Sequence, residues 1–149
     1  MANLLTELRN HLVSAGVVRN PLVAGAQPPM WLEPKLGTPA PAEKPPRGDD
    51  TQIGPTAVVG ALLTGGIPAA PYMSFARKPI VDLRLRTTTA LIAEQLELAI
   101  TAAIADRRDF MLGAMYCIEC EQWRALQRLG SGPQGFEYVT AYVFELLRT

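Results

Sequence analysis

Tyr72–Arg86, YMSFARKPIVDLRLR, alternates over its last six residues, with Val81, Leu83 and Leu85 on one side and Asp82, Arg84 and Arg86 on the other. A period of two marks a strand with one buried face. Directly after it, Thr87-Thr88-Thr89 supplies a hydroxyl for a helix N-cap. From Thr89 to Arg107, Ile92, Leu96, Ala99, Ile100, Ala103 and Ile104 recur at helical spacing. Glu94 and Glu97 near the start of that run and Arg107-Arg108 at its end suit the helix dipole. A half-buried strand followed by an amphipathic helix requires a sheet with one face covered by helix.

The flanking segments extend the same pattern. Met115–Leu129 and Phe136–Leu147 read as strands, and Gly130–Gly135 (GSGPQG) joins them as a hairpin loop. Phe136, Tyr138, Tyr142 and Phe144 share one face of the last strand, a stripe that fits a core. Upstream, Thr56–Thr64 (TAVVGALLT) is an apolar run bounded by Pro55 and Gly65-Gly66, as expected for a buried strand. Residues 2–15 make a first helix with Leu4, Leu8, Leu12 and Ala15 in line and Gly16 as its stop. Val17-Val18 and Met30-Trp31-Leu32 each supply a short strand. Ten of the thirteen prolines fall between Pro28 and Pro71, which restricts that region to loops and edge pieces. Residues 35–52 have almost nothing to bury and read as an exposed excursion. The expectation is one α+β domain over residues 1–149, with a central, mostly antiparallel or mixed sheet flanked by two helices and carrying a long proline-rich loop.

Chemistry is thinly represented. Formal charge is zero over 149 residues, with 14 basic and 14 acidic side chains, which argues against a non-specific grip on nucleic acid. The balance conceals a bias: residues 1–87 carry nine Lys/Arg against six Asp/Glu, and residues 88–149 carry five against eight. Opposite ends of opposite sign suit head-to-tail association. The longest apolar stretch, Ala57–Ala70, is broken by glycines and Pro68 and is too short to span a bilayer. Met1 leads into a polar-spaced helix rather than a signal sequence, so synthesis in the cytoplasm is expected. Cys117-Ile-Glu-Cys120 has the spacing of a zinc or redox motif, but strand alternation sends residues three apart to opposite faces. A zinc site also needs further ligands, and His11 is the sole histidine. Buried reduced thiols, and no metal or cofactor, are expected. The spacing of Gly60, Gly65 and Gly66 lacks the Lys and Ser/Thr that a phosphate loop requires. His11, on the edge of the first helix's stripe, reads as a partly buried surface residue. With no spaced set of carboxylates or nucleophiles, the chain is not expected to be an enzyme.

The pattern Pro71-Tyr72-x-x-Phe75-x-Arg77-Lys78 leading into Val81-Asp82-Leu83-x-x-Arg86 resembles tail-terminator (tail-completion, head–tail joining) proteins of long-tailed bacteriophages and prophages. Pro29-Met30-Trp31-Leu32-Glu33-Pro34 and Trp123-Arg124-x-Leu126-Gln127-Arg128-Leu129-Gly130 are similar to members of that group from phages of actinobacterial hosts. The similarity runs from the first helix to the last strand; residues 35–52 depart from it. The resemblance implies a virion structural protein in the neck, built on a sheet flanked by helices. It further implies a homo-oligomeric ring, usually hexameric, that caps the tail tube, stops its polymerisation and joins tail to head. The implied partners are other copies of the chain, the major tail tube protein and a head–tail connector or stopper protein, with no enzymatic activity or cofactor. DNA would pass through the lumen without specific binding. Contacts are expected from Arg77, Lys78, Arg84, Arg86, Trp123, Arg124 and Arg128, since exposed arginine and tryptophan are over-represented where proteins meet. Two alternatives remain: another neck component, such as a head-completion or connector-associated protein, and more distantly a small-molecule-binding α+β module.

Overall fold

The computed structural model describes residues 3–23, 26–32, 57–67, 76–105, 107–132 and 135–147; the expected excursion at 35–52 lies outside them. Eight elements follow in chain order: α1 (Leu4–Ser14), β1 (Met30–Leu32), β2 (Ala57–Ile67), β3 (Ala76–Thr87), α2 (Ala90–Ile104), β4 (Arg108–Leu112), β5 (Met115–Gly132) and β6 (Gly135–Leu147). The strands form one six-stranded sheet in the order β1-β2-β3-β6-β5-β4, antiparallel throughout except for the parallel β1–β2 pair. The fold is α+β, as expected.

Each helix is fixed by local chemistry. Asn3 caps α1 by accepting the Leu5 N–H at 2.9 Å. At the other end Gly16 takes φ 76°, its N–H donates to the Val13 carbonyl, and the Val17 N–H donates to Leu12. Those two bonds form a Schellman stop, which needs a residue without a Cβ penalty at that position. Thr89 caps α2, accepting from the Ile92 N–H at 3.3 Å. The helix ends at Ile104, the last of its apolar positions and short of the expected Arg107, so Arg107 and Arg108 lie beyond its last turn and Arg108 opens β4. β4 was not anticipated: RDFML is five residues long and shows no clean alternation. It is held by a two-residue turn with Gly113 at φ 60°, which pairs Leu112 with Met115. Conversely, Val17-Val18 forms no strand; Val18 is buried, and the neighbouring Arg19 makes only an isolated bridge to Pro29.

Both helices pack on one side of the sheet. Leu4, Leu5, Leu8 and Leu12 of α1 and Ala93, Leu96, Ile100, Ala103 and Ile104 of α2 share a core with Val59, Ala61, Val81, Leu83, Leu85, Tyr138, Tyr142, Phe144 and Leu146. The alternation read from β3 therefore faces as expected. His11 ties the helices together: its Nε2 lies 3.0 Å from the Ala103 carbonyl, and its ring sits 5.6 Å from that of Phe110. The hairpin closes more tightly than Gly130–Gly135 suggested, with Gly132 already paired to Gly135.

Candidate protein interface

The site is built on the face of the sheet that points away from the helices. β5 governs its geometry, because its pairing with β6 is irregular between Cys117 and Glu119, Gln122 and Arg124, Arg124 and Gln127, and Arg128 and Gly130. Each such irregularity adds a residue, bends the strand and re-aims side chains. The first one overturns the expectation for the cysteines. Cys117 pairs with Leu146 and Cys120 with Phe144, two residues on the same face of β6, so both thiols are buried together on the helix side. Both are free. Burial pushes the Cys117 thiol up to about 12, and burial likewise raises Cys120. The Cys117 thiol donates to the Glu119 carbonyl at 3.4 Å, satisfying an acceptor displaced by the bulge.

The second irregularity is held the same way. The buried Thr140 hydroxyl donates to the Arg124 carbonyl at 2.8 Å and accepts from Gln122 Nε2 at 3.0 Å. Gln122 Nε2 also donates to Glu97 of α2 at 2.8 Å. Beside this network Tyr142 and Thr101 share a hydrogen bond of 2.8 Å, and burial drives the Tyr142 phenol up to about 12. α2 is thereby fastened to β5 where Trp123 and Arg124 swing outward.

On the far face Glu137 lies between two arginines, with Arg86 at 3.3 Å and Arg84 at 3.7 Å. Arg84 and Arg86 thus have an acidic neighbour within their own chain, which the sequence pattern alone did not suggest. At the other end of the strands, Ile67, Lys78, Glu119, Glu121, Trp123, Val143 and Glu145 line a cleft of about 150 Å³. Glu119 pairs there with Arg108 at 3.0 Å. The cleft is smaller than the roughly 300–1,000 Å³ of small-molecule sites. Among the described residues, no group of three or more His, Cys, Asp and Glu side chains is placed to hold a metal ion.

The seven expected contact residues do not form one patch. Register places Lys78, Arg84, Arg86 and Arg124 on the far face, and Trp123, 52% exposed, in the cleft wall midway along the hairpin. Arg128 lies on the helix side, its guanidinium 4.5 Å over the Phe136 ring. Arg77 is exposed in the register of Leu146, the helix side again, near the start of β3. Sequence reading missed Glu137, Glu121 and Glu145. The strand alternation of β6 carried a signal for Glu137 and Glu145, which fall opposite the phase of Tyr138, Tyr142 and Phe144.

No family model matches the chain, and no curated protein matches it. Among the described residues, no helix is long and apolar enough to cross a membrane.

Proposed function

We propose that this chain is a virion structural protein of a long-tailed bacteriophage, a tail terminator. Its copies close into a ring, of the hexameric order the sequence resemblance implies, cap the tail tube, stop its polymerisation and join the tail to the head through a neck protein. The observation that supports this is the division of the sheet. Helices cover one face, while the other carries charged side chains and an exposed tryptophan, and both margins are only partly covered among the described residues. Such a domain is suited to contacts with other chains, and a ring needs two different patches that meet on neighbouring copies. Its partners are further copies of itself, the major tail tube protein and a connector or stopper protein of the neck. Zero formal charge suits a lumen through which DNA slides without binding. The chain contributes no catalysis and no cofactor in this role.

Removing the gene from a phage that encodes it tests the reading. Tails of uncontrolled length, or tails that fail to join heads, are expected. Normal virions from the deletion would overturn it.

A further inference from the structure

Two stretches of sheet margin have no strand beside them among the described residues. β1 covers β2 only at Val59–Ala61, leaving the outer side of Leu62–Ile67 without a pairing strand. That stretch, LLTGGI, holds no charge and no proline, and Leu63 is 51% exposed. Natural sheets guard such edges with lysine, proline or a covering element; here the irregularity between Leu63 and Gly65 is the guard in evidence. At the opposite margin β4 pairs with β5 no further than Glu119, leaving the outer side of Cys120–Gly132 without a strand. β2, β3, β6 and β5 are successively antiparallel, so β5 runs opposite to β2. A second copy set alongside in the same orientation brings its β5 antiparallel to β2. Repeated by rotation, that contact is heterologous and closes into a ring.

We propose that copies of this chain join edge to edge, β2 of one pairing with β5 of the next, so that one sheet continues through the assembly. This rests on the ring-forming reading above and names the contact that closes the ring. Charge identifies the occupant as a second copy. Register places Leu62, Asp82, Ala141 and Arg124 in one row across the sheet, and Gly65, Ile80, Val143 and Glu121 in another. Lys78, opposite Ile67, lies in the following row. Side by side, the neighbour's Arg124 comes level with Asp82, and the neighbour's Glu121 comes within a row of Lys78. The two strands concerned are then two spacings apart, about 10 Å, within the combined reach of the long side chains. Gly65 of the intervening β2 puts no side chain in the Glu121 row, and in the other row Arg124 has to pass over Leu62 to reach Asp82. Within the described residues none of Asp82, Lys78, Glu121 and Arg124 is already in an ion pair.

The test is analytical ultracentrifugation of the full chain and of the variants Asp82→Arg, Arg124→Asp, the two combined, and Leu63→Lys, with circular dichroism to verify folding. Each single reversal should weaken association about tenfold or more by setting like charges together, and the combined swap should return it to within about threefold. Leu63→Lys, an edge guard, should block association while leaving the monomer folded. Rings of unchanged affinity in every variant would overturn the edge contact and leave the ring itself standing. A wild-type chain that stays monomeric at every concentration, and on assembled tails, would overturn both. Amide exchange on the wild type needs no variant: assembly should slow exchange in 62–67 and 120–124, and unchanged exchange in both overturns the proposal.

Discussion

Reversing both arginines that flank Glu137 tests whether this small charge cluster belongs to the monomer or waits for a partner. Arg86 sits directly across from Glu137 in the β3–β6 ladder, and Arg84 reaches it from the next position on the same face. Arg84→Glu with Arg86→Glu removes the two attractions to Glu137 and sets three carboxylates together. Exposed ion pairs contribute about 0–1 kcal/mol each, and the Arg84 side chain is 49% exposed, so its share belongs at the low end. Arg86 and Glu137 are 24% and 29% exposed, which favours the upper half for that pair. Like charges directly opposite on neighbouring strands cost a further amount of about 0.2–1 kcal/mol. Together the reversal should destabilise the monomer by about 1–2 kcal/mol, or about 3–6 °C in Tm for a domain of this size. Urea denaturation at low salt should show the midpoint fall with an unchanged slope, and about 0.5 M salt should shrink the loss. Adding Glu137→Lys should recover most of it. An unchanged midpoint in the double reversal, or no recovery in the triple variant, would refute the cluster as a stabilising unit.

Thr140→Val strands the Arg124 carbonyl and one Gln122 donor bond at the second bulge, and should cost about 1–3 kcal/mol in urea denaturation, less the small gain from an apolar isostere. Gly113→Ala forces an alanine into the left-handed region and drives its Cβ toward the Glu7 carboxylate, which can swing aside; a loss of about 1–2 kcal/mol is expected by thermal melting. Native Cys117 and Cys120 should resist a thiol-specific disulfide reagent at pH 8 and react at the rate of opening. Their raised values also fix the alkaline response. The thiols are neutral in both states below about pH 9; above it the unfolded chain ionises first, so stability should fall from about pH 9 to about pH 12, where Cys117 finally ionises in the folded protein, with Tyr142 adding to the loss above about pH 10.

The sequence revealed those parts of the fold where a single periodicity runs unbroken. Val81, Leu83 and Leu85 of β3, the leucines of α1, and Tyr138, Tyr142 and Phe144 of β6 all face as their spacing requires. β5 was legible as a strand but not as a surface, because each bulge shifts the phase of alternation and nothing local in MYCIECEQWRALQRLG marks where the extra residues fall. That is why simple alternation sends Cys117 and Cys120 to opposite faces, where the bulge puts them on one. β4 escaped notice because it is short and begins where helical spacing was still running. The arginines of the candidate interface were visible from their exposure pattern on β3. Their engagement by Glu137 was not, since it depends on the β3–β6 register, which brings together residues 51 positions apart.

Single-particle imaging of the purified chain, alone and on tails assembled with and without it, tests the central claim most directly. Closed rings with a central channel, seated at one end of tubes that no longer elongate, are the predicted result. Particles that remain monomers or two-fold dimers, with tails of uncontrolled length whether or not the chain is present, would contradict it.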